Sequence, residues 1–186
     1  MKKKIAIIFL TYNSQRIISK SILAAKKISE NIIIIDDYST DKTKKICKNL
    51  NCRIFERKFK NYSDQRNWSI KKFNKFKWQL HLDADEVLSE TLKKSILKEK
   101  ESGFKKAYKM NPLNFIGEKP LKFGGWYPDQ KVRLFHKDYA CWNDKKVHET
   151  VEVKQETNVG FLNGDLLHYS FESYGDHLLT INKYSN

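Results

Sequence analysis

The first half of the chain carries four short apolar runs, each ended abruptly by polar or acidic residues. Ile5-Ala6-Ile7-Ile8-Phe9-Leu10 stops at Thr11-Tyr12-Asn13, and Ile32-Ile33-Ile34-Ile35 stops at Asp36-Asp37. Arg53-Ile54-Phe55 is a shorter run, and Trp78-Gln79-Leu80-His81-Leu82 stops at Asp83-Ala84-Asp85-Glu86. A strand with one wet face alternates, so a continuous run suits a strand covered on both faces, as in a parallel sheet. Between the runs the period changes. Ile17, Ile18, Ile22, Ala25 and Ile28 fall near helical spacing within residues 14–28. Ser39-Thr40-Asp41 offers a cap for a helix reaching about Leu50, and Ser63 or Asp64 opens another through Trp68, Ile70 and Phe73. Strand and helix in alternation predict right-handed βαβ units and a parallel sheet. After Asp85, Ser89 is placed to cap a helix running to about Glu101.

From residue 104 to 170 the pattern is richer in aromatics and in short alternating runs such as Lys131-Val132-Arg133-Leu134-Phe135. Mixed strands and loops that finish the sheet and wall a cleft are expected there. Residues 170–185, with Leu178, Leu179 and Ile181, read as a last helix that meets Asn186 without a terminator, the pattern of a truncated chain.

Composition narrows the class. The chain has 186 residues, 40% hydrophobic and 13% aromatic, which supports one domain with a core and excludes a disordered body. Cys47, Cys52 and Cys141 form no CxxC pair, so neither a disulfide framework nor a zinc site is indicated, and a reducing cytosol fits. The basic start Met1-Lys2-Lys3-Lys4 precedes an apolar run too short for a signal-peptide core. No apolar segment approaches the roughly 20 residues of a spanning helix. The net charge of +14 favours anionic partners, namely nucleic acid, an acidic membrane or phosphorylated substrates, although an AT-biased genome produces a similar composition. No RNP-like motif or recognition-helix pattern supports nucleic acid.

Ligands of open α/β sheets bind beyond the C-terminal ends of the strands, where the polar clusters of this chain fall. Asp83 and Asp85, two apart at a strand end, are placed to share a hard divalent cation that keeps open positions for phosphate. The same residues would serve in a polar loop ahead of a helix. Asp36 is a candidate acceptor for a nucleobase N–H, while Asp37 or Ser39 could cap the next helix. Thr11-Tyr12-Asn13 brings a hydroxyl and an aromatic face, or simply an ordinary turn. Arg66, in Gln65-Arg66-Asn67-Trp68, could pair with a diphosphate or stand on the surface, with Trp68 in the core. Gly124-Gly125-Trp126-Tyr127-Pro128-Asp129 reads either as a sugar platform with Asp129 as general base or as a tight hairpin with two core aromatics. Val147-His148-Glu149 and Leu167-His168-Tyr169-Ser170 hold the other notable polar groups. His168 is either a third metal ligand or a structural histidine. No Walker loop, GxGxxG turn, GxSxG elbow or HExxH motif is present.

In this order, the motifs Phe9-Leu10-Thr11-Tyr12-Asn13, Ile32 to Asp36 with Ser39-Thr40-Asp41, and Asp83-Ala84-Asp85 resemble the family 2 glycosyltransferases of the GT-A fold. Asp64-Gln65-Arg66-Asn67-Trp68, Leu82 to Glu86, Gly124 to Asp129, Arg133-Leu134-Phe135, Val147-His148-Glu149 and Leu167 to Ser170 look like the WaaE-type branch, which adds hexoses to the inner core of lipopolysaccharide or lipooligosaccharide. Ser14 stands where that branch usually has Glu, and Asp37-Tyr38 where Ser-Gly is common, which bears on donor identity.

The resemblance implies an α/β, Rossmann-like GT-A domain over residues 1–186, with a mostly parallel central sheet flanked by helices. Residues 1–101 would form the nucleotide-sugar-binding half and 102–186 a mixed acceptor-side half, with further helices usual beyond this end. It implies that Thr11, Tyr12 and Asp36 hold the uridine of a UDP-sugar, that Arg66 meets the diphosphate, and that Asn13, Asp83 and Ala84 also border the nucleotide. Asp83 and Asp85 would hold Mg²⁺ or Mn²⁺, Asp85 more directly, with His168 completing the site. The reaction implied is an inverting displacement with Asp129 or Glu149 as base. A hexose, glucose or a related sugar, would pass to an anionic lipid-linked saccharide at the cytoplasmic face of the bacterial inner membrane. Another acceptor (capsule, teichoic acid or protein), a non-catalytic sugar-nucleotide binder and a basic nucleic-acid module are the rival readings.

Overall fold

The computed structural model describes residues 4–145 and 149–171 together with Ser173 and Gly175. Ser170 and Phe171 end a strand rather than open the helix expected over 170–185, and the rest of that helix, apart from Ser173 and Gly175, lies outside the described residues, as does the Val147-His148 pair. Four parallel strands, β1 (Ile5–Thr11), β2 (Ile32–Asp36), β3 (Arg53–Glu56) and β4 (Trp78–Asp83), lie in the order β3-β2-β1-β4. They alternate with α1 (Ile18–Lys26), α2 (Thr43–Asn49) and α3 (Tyr62–Lys72), as the period changes predicted.

The unbroken apolar runs have a direct cause. Ile5, Ile7, Phe9, Ile32 and Ile34 face one core with Ile18, Ile22 and Ala25 of α1. Ala6, Ile8, Ile33 and Ile35 face the opposite core, with Phe73 and Phe76. Because alternate residues point to opposite faces, both sets must be apolar.

The second half is mixed. β8 (Lys131–His136) runs antiparallel beside β4, and β6 (Ala107–Ile116) antiparallel beside β8. β11 (Val159–Phe171) is parallel to β6, and β5 (Glu86–Leu88) closes the series antiparallel to β11. α4 (Glu90–Ser102) follows β5, and β7 (Lys119–Pro120) pairs back on β6. β9 (Ala140–Trp142) and β10 (Val151–Val153) form a small separate ribbon.

In sheet order, β8, β6 and β11 lie between β4 and β5, yet only Ala84 and Asp85 join those two strands along the chain. The sheet must curl until its line of strands returns beside the end of β4. The Ala84-Asp85 turn is the seam of that curl. Ser21 Oγ donates to the Ala84 carbonyl at 2.7 Å, and the Tyr169 N–H to the Asp85 carbonyl at 3.0 Å.

Three local expectations change. Ser39 does not cap α2, whose first N–H is taken by Asp41 Oδ1 at 2.9 Å. Ser39 is instead consumed by the buried Asp36 carboxylate, which cannot be left unsatisfied. Asn61, rather than Ser63 or Asp64, caps α3 by accepting the Asp64 N–H at 2.8 Å. Trp126 and Tyr127 are not core aromatics: Trp126 is exposed, and half-buried Tyr127 donates its hydroxyl to Asp165 at 2.9 Å. Ser89 caps α4 as predicted, and Gly124 and Gly125 both take positive φ.

Candidate functional site

A cavity of about 560 Å³ opens beyond the C-terminal ends of β1, β2 and β4. Thr11, Tyr12, Asn13 and Ser14 line it after β1, Asp37 after β2, Asp83, Ala84 and Asp85 after β4, and His168 from β11. Tyr12 is 62% exposed, and Phe59 and Tyr62 meet edge to face at 4.9 Å, so aromatic surface stands at the cavity. Asp36 is fully buried beneath, and Asp37 rather than Asp36 is among the lining residues. The Asp36 carboxylate accepts from Thr11 Oγ1 at 2.8 Å, Ser39 N at 2.7 Å and Ser39 Oγ at 2.6 Å. Ser39 Oγ in turn accepts the N–H of Asn13, whose φ of 45° suits Asn better than a branched residue. The buried carboxylate thus sets the loop that carries Tyr12 and Asn13.

Behind the β4 end lies a charged cluster. Arg66, 1% exposed, donates to Asp83 Oδ1 at 2.6 Å. Arg133 donates to Glu86 Oε1 at 2.8 Å and stands 3.6 Å from Asp83 Oδ2. Glu86 also accepts the Asp83 N–H at 2.8 Å. Both guanidinium groups lie over the Trp142 ring, Arg66 at 4.2 Å and Arg133 at 5.5 Å. The Trp142 indole N–H points to His81 Nδ1 at 3.2 Å, and His81 Nε2 meets Gln79 Oε1 at 3.0 Å, which fixes the neutral tautomer with its proton on Nε2. Burial, with Arg66 and Arg133 nearby, holds His81 well below its ordinary pKa. Burial alone would raise Asp83, but Arg66 and Arg133 together hold it below its ordinary value. For Glu86 burial wins over Arg133 and the pKa rises.

The Gln65-Arg66-Asn67-Trp68 segment now has a structural account. Gln65 bonds Arg57 and lines the cavity, Arg66 pairs with Asp83, and Trp68 packs beside Phe73. Asn67 clamps β9 by donating to the Trp142 carbonyl at 2.8 Å and accepting its N–H at 3.0 Å. Arg66 lies outside the residues lining the cavity, whereas Arg16, which no motif marks, lines it. Its only sequence signal was position, five residues after the end of β1.

Asp85 and His168 face each other across the seam, with Oδ2 and Nε2 3.4 Å apart. His168 Nδ1 meets Asn114 Oδ1 at 2.8 Å, so Nδ1 carries the hydrogen and Nε2 is turned toward Asp85. Burial opposes the charged ring, but the Asp85 carboxylate, with Glu86 and Asp83 behind it, pushes its pKa up to about 9. A carboxylate and an imidazole aimed at each other at the edge of the cavity can both reach one divalent cation once the proton leaves. Asp83 is less free, because guanidinium groups flank both its oxygens. Among the described residues no three His, Cys, Asp or Glu side chains form a ready-made cage. A cation here would draw its other ligands from water and phosphate, as Mg²⁺ usually does.

A second cavity, about 220 Å³, is lined by Lys109, Gln130, Lys131, Val132, Arg133, Trp142, Glu149, Thr150 and Val151. The two carboxylates predicted as bases separate here. Glu149 lines this cavity and acts on Arg133 electrostatically, whereas Asp129 is 51% exposed, pairs with Lys131 at 3.0 Å and lines neither cavity. Arg133 owes its position to a bulge: Tyr108 pairs with Leu134 and Lys109 with Val132, so Arg133 has no partner opposite. Bulges re-aim side chains in this way, and no local sequence signal announces one.

The architecture is that of the GT-A glycosyltransferases. Staphylococcus aureus TarS residues 1–349 share it with a TM-score of 0.64 at 15% identity, over 90% of this chain and 60% of that one. TarS 1–349 in complex with UDP-GlcNAc gives the same TM-score over 95% of this chain and 61% of that one. Residues 6–176 match the family model for glycosyl transferase family 2, and the chain belongs to that family. It is 27% identical over 197 residues to an uncharacterized glycosyltransferase of Rickettsia prowazekii (strain Madrid E), covering 99% of this chain and 66% of that relative. An uncharacterized glycosyltransferase of Rickettsia bellii (strain RML369-C) is 32% identical over 96 residues, 52% of this chain and 32% of its own length. The chain spans just under two thirds of the length of the prowazekii relative. Among the described residues no helix is long and apolar enough to cross a membrane.

Proposed function

We propose that this chain transfers a hexose from a UDP-sugar to the core saccharide of a lipopolysaccharide or lipooligosaccharide, with inversion at the anomeric carbon. The observation that carries the reading is the Asp85–His168 pair at the seam of the curled sheet, facing a cavity with exposed aromatics. UDP-GlcNAc bound to TarS, which shares the fold, supports a UDP-sugar donor. The ordered WaaE-type motifs support the core acceptor, and the charge of +14 suits a phosphorylated acceptor at an acidic membrane face.

In this reading Thr11, Tyr12 and Asn13 receive the uridine on a loop held by Asp36. Arg16 meets the diphosphate from the cavity wall, while Arg66 acts from beneath by fixing Asp83 and Ala84 borders the phosphates. Asp85 and His168 would hold Mg²⁺ or Mn²⁺, which when bound offsets charge on the departing diphosphate. Glu149 takes the proton from the acceptor hydroxyl. The new C1–O bond forms as the C1–phosphate oxygen bond breaks, and UDP leaves with the electron pair.

Thermal unfolding with UDP-, GDP-, CMP- and dTDP-sugars, each with and without Mn²⁺, tests the donor. A site saturated at about 100 times Kd gains about 2.7 kcal/mol. Stabilisation by UDP-sugars that needs the cation is expected, and no shift with any nucleotide sugar overturns the reading. For the base, Glu149→Gln should lose transfer by several orders of magnitude with UDP affinity retained, whereas Asp129→Asn should not. Purified core, capsule, teichoic-acid and protein acceptors separate the acceptor classes.

A further inference from the structure

The smaller cavity has a composition of its own. Its walls carry three cationic side chains, Lys109 from β6 and Lys131 and Arg133 from β8, against one carboxylate, Glu149. Its other polar side chains, Gln130 and Thr150, are uncharged. Lys109 pairs with Val132, the bulge leaves Arg133 unpaired beside it, and Lys131 precedes Val132 at the start of β8, and all three cationic residues line this space.

These charges are not all spent. The Lys131–Asp129 pair is half exposed, and such pairs exchange easily for a better anion. The Arg133 Nε is buried and has no hydrogen-bond partner although the guanidinium end serves Glu86. Arg133 also connects the two cavities, since it lines one and stands 3.6 Å from Asp83, which lines the other. A molecule in the smaller cavity would therefore sit across a single ion pair from the donor edge.

We infer that this cavity binds the acceptor and recognises an acidic group on it, a phosphate or a carboxylate, through Lys109, Lys131 and Arg133. The inference rests on the transferase reading and deepens it by naming what the acceptor carries. Charge-assisted contacts to a guanidinium and two ammonium groups favour an acid over the neutral sugar of the same shape. The same placement sets Glu149 beside the bound acceptor.

Calorimetric titration of the UDP-saturated chain with glucose 6-phosphate, glucuronate and glucose tests it. At least one acid should bind about tenfold or more tightly than glucose, weaken with added salt and be displaced by inorganic phosphate. Whichever acid wins identifies the group recognised. Lys109→Ala/Lys131→Ala should reduce that acid to the affinity of glucose, while the control Lys71→Ala/Lys72→Ala at the end of α3 should not. If the alanine pair fails to melt cooperatively, Lys109→Gln/Lys131→Gln replaces it. Equal binding of all three sugars, no binding of either acid, or an acid preference that survives the double substitution overturns the inference. A chain that binds the acid but no nucleotide sugar would instead strike the donor reading and leave the anion site standing.

Discussion

Replacing Arg66 with Met tests the buried clamp behind the donor site. The substitution keeps most of the side-chain volume and removes the charge. Arg66 is 1% exposed and bonds Asp83 at 2.6 Å, so the loss strands a carboxylate that is itself 26% exposed. Removing one member of a buried pair costs about 3–5 kcal/mol. Arg133 remains 3.6 Å from the other Asp83 oxygen and absorbs part of the loss, which places the cost near 3 kcal/mol. For a chain of 186 residues, at about 2–4 °C per kcal/mol, the unfolding midpoint should fall by about 6–12 °C. Circular dichroism melts and urea titrations of Arg66→Met, Asp83→Asn and the double variant complete the cycle. Residues sharing one ion pair should show a coupling of about 2 kcal/mol within the 0.5–3 typical of contacts. A midpoint within 2 °C of the parent (about 0.5–1 kcal/mol) or a coupling near zero would refute the clamp. A stable variant with UDP affinity down tenfold would show that Arg66 reaches the diphosphate after all.

Three further outcomes are expected. Asp85→Ala should abolish the Mn²⁺-dependent part of UDP-sugar stabilisation in thermal shift, and an undiminished Mn²⁺ effect would remove Asp85 from the cation site. His81 is buried neutral, so the unfolded chain binds its proton more readily. Stability should be full above the ordinary value of 6.5 and decline as pH falls below it, and His81→Gln should flatten that decline in urea titrations from pH 7 to 5. An identical pH profile for the variant would show that His81 does not carry the linkage. Gly164→Ala should destabilise by about 2–4 kcal/mol, because the residue sits at φ +96° and a Cβ would meet the Leu92 nitrogen at 2.4 Å. A melting temperature unchanged by that substitution would contradict the close approach of β11 to α4.

The parallel half was legible because β1, β2 and β4 bury both faces, while β3 is a partly exposed edge strand. The runs at Ile5–Leu10 and Ile32–Ile35 have no polar position to spare, and the polar residues that end them mark the ligand edge. Ser89 was legible as a cap because capping is local, and Ser39 was misread because its hydroxyl answers a buried carboxylate that a local rule does not see. Arg66 looked like a surface or phosphate-binding arginine, and only packing shows it enclosed by Asp83 and Trp142. Arg133 required a bulge, and Arg16 required the cavity wall to be closed around it.

By itself, then, the sequence determined the βαβ half, the strand ends where chemistry collects, and the acidic turn at Asp83-Ala84-Asp85. Those are consequences of periodicity and local hydrogen bonding, which neighbours in the chain decide. Tertiary structure alone decided which of those acids the arginines hold and which meets His168, which arginine faces the cavity, and which carboxylate borders the second space. The curl of the sheet brings β11 beside the end of β4, so His168 meets Asp85 across 83 residues of chain that no local pattern can span.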